Sequence, residues 1–325
     1  CVYFASGSWV TGLSSSIPLL LGTKSNYLMK AGILPETIPT TVTLGSSLNM
    51  VMIFVFLVFA PLLILFLIPK GNSIKELNNM LENTNGKKEL SIKEEALSFN
   101  LMTPSFSDRL NNGFLLQGVI VLMGFTYIIY HFYTNGFELN FNIMIFIFLI
   151  IGMLLHKTPM CYVIAMKRSS GNISGILYQY PFYAGIMGIM LYTGLGEKLA
   201  QIMSSVATID SYAFFAYLTG GIANFAIPSA GGEFAVVGPS IINAVKEIGA
   251  GLPAEELSEM ISRASLSVAY GESLTNLLQP FFLLLVFPIM GADIKIQARD
   301  VMGYLVIPFL IFFVIQSILV TWIPL

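Results

Sequence analysis

Apolar stretches of about twenty residues, the length that crosses a hydrocarbon layer of about 30 Å, recur along this sequence at 1–21, 48–68, 113–132, 139–155, 173–192, 264–290 and 301–325. Lipid offers the backbone no hydrogen-bond partners, so such runs must satisfy their own polar groups. They predict an all-α polytopic membrane protein. The charge content agrees: 10% of the 325 residues are charged, against about a quarter in a soluble domain. A net charge of −2 leaves no nucleic-acid footprint. Cys1 and Cys161 make neither a disulfide framework nor a metal cluster. His131 and His156 stand alone, at expected membrane interfaces rather than as ligands. The sequence opens at Cys1 inside an apolar run, with no Met and no signal peptide. The expectation is a natural protein with a further N-terminal part, which would act as a partner of this one.

Glycine and proline interrupt the C-terminal apolar segments, and a carboxylate stands at each interruption: Glu233 in PSAGGE (228–233) and Glu272 in GESLTN (271–276). A charge in hydrocarbon is costly, so an ionisable residue there marks function by default. Broken backbone at membrane depth is tolerated where it lines a cavity or lies in protein. The arms 212–227 and 234–245 are each short for a crossing, so hairpin 212–247 is expected to be re-entrant, and 264–290 to be a broken helix. Residues 195–207 and 253–263 read as amphipathic surface helices, and 70–112 as a polar loop.

Lys/Arg asymmetry orients the chain. With the hairpin returning to its own side, loops 70–112, 156–170 and 291–300 share a face carrying eleven Lys/Arg, against five on the other. The long loop is therefore cytoplasmic and the C-terminus outside. A weak internal repeat supports two related halves. Shifted by 264 residues, Ala5, Gly7, Thr11 and Leu13 fall on Ala269, Gly271, Thr275 and Leu277. Each copy runs into a proline, Pro18 or Pro280, expected to unwind its helix. Inverted repeats around broken helices are a recurring transporter plan with the site near the midplane. The domain reading is one transmembrane unit over 1–325: the end of a truncated first repeat (1–69), the loop 70–112, and a second repeat (113–325).

The hairpin tip suits a small anion. A half-helix starting near Glu233 presents unpaired N–H groups and a positive dipole end. Gly231 and Gly232 allow close backbone approach, and Ser229 and Asn224 add donors. Thr275 and Asn276 at the second break, with Thr11 and Ser15 at the first, complete the candidate substrate site. Phe225, Phe234, Tyr270 and Phe281 are candidates for an apolar wall. Apolar surroundings favour a neutral carboxyl, so Glu272 and Glu233 are ion-coupling candidates, cycling a proton or holding Na⁺. The alternative is that they only bridge helices. No Lys or Arg stands in 212–245 or 264–290, which favours a singly charged substrate.

The segments NFAIPSAGGEFAVVGP (224–239), AYGESLTNLLQPF (269–281), LHKTP (155–159), YPFYAG (180–185) and RDVMGY (299–304), in that combination, resemble the short-chain fatty acid transporter family of the ion transporter superfamily. The resemblance implies two inverted repeats, each with a hairpin and a broken helix, with Asn224, Ser229, Gly231, Gly232, Thr275 and Asn276 around the substrate. It implies a bacterial inner-membrane importer of butyrate, acetoacetate and similar monocarboxylates. Transport would proceed by alternating access as a homodimer among membrane lipids, with H⁺ or Na⁺ as coupling ion and no other cofactor. Glu233 departs from the His or Gln expected there. A dicarboxylate/Na⁺ symporter or Na⁺/H⁺ exchanger on the same scaffold is the alternative. An intramembrane enzyme is a further, disfavoured alternative, since the sequence shows no Gly-x-Ser-x-Gly, His-Glu-x-x-His or paired aspartates and its histidines lie outside the broken helices.

Overall fold

A computed structural model describes residues 9–24, 26–68, 90–99, 103, 105–280 and 298–325. All regular structure among them is helical, with no strand. Helices Ser47–Leu67, Phe114–Asn135 and Val301–Trp322 are long and apolar enough to cross a membrane. The chain divides into two compact units, Cys1–Met80 with Ile176–Leu325, and Leu81–Gly175.

In the first unit the centre is a pair of helices, Tyr212–Asn224 and Ala254–Thr275, the most closely packed pair among the described residues. Glycine permits that contact. A Cβ on Gly271 would lie 1.9 Å from the Tyr217 carbonyl oxygen, and one on Gly220 would lie 2.3 Å from that of Val268. With no hydrophobic drive between helices in lipid, small residues that let backbones meet supply the packing. Ala213, Ala216 and Ala264 are buried with them. Helix Ala230–Ile248 packs on both, and Ala298–Trp322 closes the side bearing Tyr217, whose hydroxyl donates to Gln316 Oε1 at 3.1 Å. Phe312 stacks on Phe56 of Ser47–Leu67 with ring centroids 4.5 Å apart.

The hairpin is present as two helices, Tyr212–Asn224 and Ala230–Ile248, joined by the turn 225–229. Residues 253–263 are not a separate surface helix. They form the first turns of the continuous helix Ala254–Thr275. No Gly or Pro interrupts 254–270, and the charge of Arg263 is met by the carbonyl oxygens of Val320 (3.0 Å) and Thr321 (2.9 Å). Pro280 stands at its break as expected, since Gln279 before it is extended (φ −118°, ψ 142°), the conformation a following proline imposes, whereas Pro18 does not break the helix that contains it. Helix Trp9–Thr11 ends before Gly12 and a new helix starts at Ser16, placing Pro18 in its first turn; helical backbone likewise resumes at Pro280. A first-turn proline gives up an N–H that has no helical partner anyway.

In the second unit Phe114–Asn135 packs against Phe141–His156 around Val121, Ile128, Ile143 and Ile150. Gly124 makes room for Ile150, whose Cδ1 would lie 2.3 Å from an added Cβ. Residues 156–170 are not a loop. Helix Pro159–Tyr192 starts there, bent by 119° from Phe141–His156. Thr158 Oγ1 accepts from the Cys161 N–H at 3.3 Å and Pro159 opens the helix, a start signal that the loop reading passed over. His131 and His156 bond backbone carbonyls, of Glu138 at 3.1 Å and Gly152 at 2.8 Å. Within the polar stretch 70–112, Ile92–Ser98 and Phe106–Asn112 are helical, each opened by a capping box. Glu95 pairs with Arg168. Residues 70–89, Ala5, Gly7 and Phe281, the far half of the 264–290 segment and the loop 291–297 lie outside the described residues.

Candidate functional site

The turn at 225–229 and the end of Ala254–Thr275 meet at Asn224. As the last residue of its helix, Asn224 carries an amide that reaches across to the neighbouring break. Its Nδ2 lies 2.8 Å from the Glu272 carbonyl oxygen, 2.7 Å from Thr275 Oγ1 and 2.9 Å from Asn276 Oδ1. The helix ends at Thr275 and passes into a 3-10 turn, Asn276–Leu278. Helix ends leave carbonyls without intrahelical partners, and here side chains supply them: Gln279 Nε2 donates to the Asn224 carbonyl at 2.7 Å. The two breaks are thereby knitted together by three amides and one hydroxyl, all buried.

The network is incomplete in a specific way. Asn224 Oδ1, Asn276 Nδ2 and all four carboxyl oxygens of Glu233 and Glu272 are buried and complete no well-aligned hydrogen bond among the described residues, although the Asn276 amide lies close enough to the Glu272 carboxyl to act on it. Unmet buried polar atoms are rare and each calls for a cause. Five of these six atoms are oxygens, the ligand type of a small hard cation; the sixth is an N–H₂ donor, suited to a carboxylate. The Glu233 and Glu272 side chains are close enough to interact electrostatically. Glu233 sits in the first turn of Ala230–Ile248, where the helix dipole favours negative charge.

The other predicted residues fall into two groups. Ser229 is the N-cap of Ala230–Ile248 but its side chain makes no capping bond, and Ser229 and Gly231 are exposed. The tip therefore presents uncapped N–H groups at an accessible helix start. A Cβ on Gly232 would touch Ser229 Oγ at 3.4 Å, and one on Gly231 would stand 3.9 Å from Ser16 Cβ, so the tip lies against the segment that follows the first break. Ser15 is buried there as N-cap of Ser16–Leu21. Thr11 is buried as well, but its carbonyl is held by Asn49 Nδ2 at 2.9 Å rather than by the amides around Asn224. Of the aromatic candidates, Phe225 is exposed at the tip. Phe234 is in the core with its carbonyl accepting from the Tyr27 hydroxyl at 3.1 Å, and Tyr270 points its hydroxyl at Asn49 Oδ1, 2.9 Å away.

Asn49 and Gln316 were not singled out in the sequence. Both are fully buried, and each is the lone amide side chain of its mainly apolar helix. That isolation is the signal, since an amide in hydrocarbon persists only with partners.

The breaks also share a register. One helix ends at Thr11 and another at Thr275, and helical backbone resumes at Ser16 and at Pro280, in each case 264 residues apart.

Comparison with known proteins agrees with the chemistry of these segments. A family model described as short chain fatty acid transporter matches residues 1–323. Relatives from Haemophilus influenzae (strain Rd) and Escherichia coli (strain K12), each provisionally named a short-chain fatty acid transporter, are 31% and 32% identical over 308 residues. Each alignment covers 94% of this chain and 64% of the relative, so the chain spans less than two thirds of the length of the curated relatives it matches. No solved structure matches it. The apolar spans, the buried polar break and the family match over residues 1–323 together place this chain in the short chain fatty acid transporter family, a family of membrane transporters and not of enzymes.

Proposed function

We propose that the protein takes up short-chain monocarboxylates such as butyrate and acetoacetate across a bacterial inner membrane by alternating access, coupled to H⁺ or Na⁺. The observation that carries this reading is the unmet set of atoms at the meeting of tip and break: one amide donor, Asn276 Nδ2, beside five oxygens, on Glu233, Glu272 and Asn224. A carboxylate takes the Asn276 donor and the uncapped N–H groups that follow Ser229. A proton or Na⁺ takes the oxygens. Loading both together keeps the added charge near zero, which in a medium of low dielectric is the less costly route. The absence of Lys and Arg from 212–245 and 264–290 suits a single negative charge on the substrate.

Thr11 and Ser15 belong to the first break, which shares the 264-residue register of the second. That register supports two halves built to one plan; the inverted orientation rests on the alternation of the spans expected between them, and the Lys/Arg asymmetry favours 70–112 cytoplasmic and the C-terminus outside. Assembly as a homodimer is part of the same reading.

The test is uptake of labelled butyrate into proteoliposomes carrying the full-length protein, with pH and Na⁺ gradients imposed separately. Accumulation under one gradient, competed by acetate and acetoacetate but not by succinate, is the expected result. Competition by succinate, or no accumulation under either gradient, would return the function to a dicarboxylate carrier or an exchanger.

A further inference from the structure

Beside the polar cluster lies a cavity of about 150 Å³ with apolar walls, formed by Leu218, Ile222, Phe225, Leu274, Phe309 and Phe313. Its floor is made by two glycines. A Cβ on Gly221 would stand 3.4 Å from both the Gly271 carbonyl oxygen and Thr275 Cγ2, and Gly221, Gly271 and Thr275 all line the space. Thr275 belongs to both regions: its Oγ1 accepts from Asn224 Nδ2 at 2.7 Å while its side chain borders the cavity. One residue thus separates atoms that suit a carboxylate from a hydrocarbon-sized void.

We infer that this cavity receives the acyl tail of the transported acid and sets the chain length the protein prefers. The inference rests on the monocarboxylate reading above and names the part of the site that reading leaves open. The occupant follows from size and position. An apolar cavity of about 150 Å³ accepts a six-carbon hydrocarbon the size of benzene. A tail of three to five carbons fits inside; a membrane lipid chain, several times longer, does not. Ile222 and Phe225, both exposed, border the mouth at the hairpin side, where a small acid arriving at the tip would enter. Tyr217 also lines the space, but its hydroxyl proton is already given to Gln316, so the walls leave the far charge of a dicarboxylate unmet.

The experiment measures inhibition constants for acetate, propionate, butyrate, hexanoate and octanoate against labelled butyrate in proteoliposomes of the full-length protein. Binding of the unmodified protein should tighten about fourfold per added methylene until the cavity is full, near hexanoate. Ile222→Phe fills the cavity from its mouth. It should weaken butyrate and hexanoate by about tenfold or more while moving acetate by no more than about twofold. Phe313→Ala enlarges the cavity and should move the optimum toward octanoate. A chain-length profile without steps, or the same factor for every acid in both variants, overturns the inference while leaving uptake of monocarboxylates standing. That uniform result is the one expected if the space only packs helices or takes the tip of a lipid chain. If the unmodified protein takes up no monocarboxylate at all, the transport reading fails and this inference fails with it.

Discussion

At each of the two helix breaks, an asparagine from a neighbouring helix donates to a backbone carbonyl at the end of the broken helix. At the first, Asn49 Nδ2 donates to Thr11 O at 2.9 Å and Leu44 O at 2.8 Å, and Asn49 Oδ1 accepts from Tyr270 at 2.9 Å. Both N–H groups and the oxygen of that amide are used. At the second, Asn224 Nδ2 faces three acceptors while its Oδ1 has no partner, and the Asn276 amide and the Glu272 carboxyl lie near each other without completing a well-aligned bond. The two asparagines are equally buried, so burial does not distinguish them. Completeness does. A fully bonded buried amide fixes one geometry, whereas a partly bonded one carries a desolvation cost that a ligand can relieve. Asn49 is a lock between segments, and Asn224 with Asn276 is a site.

The largest expected effect that separates them is on stability. Asn49→Ala strands the Tyr270 hydroxyl and two carbonyls in the core, at about 3 kcal/mol or more from groups that each cost roughly 1–3 kcal/mol unpaired. Thermal unfolding in detergent should show a clear fall in midpoint, while the KM for butyrate of the protein that remains folded is unchanged. An unaltered midpoint with lost uptake would move Asn49 into the site and dissolve the contrast.

Asn276→Ala should do the reverse. It removes a donor with no well-aligned bond and an oxygen whose partner, Asn224 Nδ2, keeps two other acceptors, so the midpoint should move little. If the donor meets a charged carboxylate, its loss costs about 1.5–3 kcal/mol, or roughly ten- to 150-fold in uptake efficiency. Uptake at the level of the unmodified protein would show that the unmet amide has no substrate to meet. Glu272→Gln is milder still, since it preserves shape and keeps a hydrogen-bonding end group. Gradient-driven accumulation should disappear while exchange of internal for external butyrate continues. Retained accumulation would make Glu272 a helix bridge, and the contrast would then rest on the amides alone.

How far all this could be read in the sequence depended on the scale of the signal. The long spans, the hairpin and the second break followed from composition and from Gly/Pro punctuation, because lipid leaves few other folds for such runs. Asn224, Thr275, Asn276 and Glu272 were visible as polar residues at those breaks. What sequence could not supply was partner identity across distance. Asn49 pairs with Tyr270 over 221 positions, and Gly271 is required by the Tyr217 carbonyl rather than by a turn of its own. The misplaced boundary at 263 has the same origin. Arg263 looked like a surface charge because the carbonyls that hold it lie 57 and 58 residues away.

The same kind of bond recurs in water, where it sharpens the contrast by removing burial from it. At Ser91 the side chain accepts from the Glu94 N–H at 3.2 Å and the Glu94 carboxylate accepts from the Ser91 N–H at 2.8 Å. These bonds to Ser91 hold the Glu94 carboxyl below the ordinary glutamate value of 4.5. Because the folded value is the lower one, the bonds favour the capped helix fully when the pH is above the ordinary value. Their contribution shrinks as the pH drops beneath it and is lost once the pH passes below the folded value. Glu94 is fully exposed, however, so water replaces whatever the cap gives up. Acidification, or Glu94→Gln at neutral pH, should fray only the start of Ile92–Ser98, seen as faster amide exchange over 92–95. The unfolding midpoint and butyrate uptake should stay where they were. A fall in uptake from Glu94→Gln would mean that a capped surface helix matters to transport as much as the amides buried at the break, and position in the membrane would no longer explain which caps are sites.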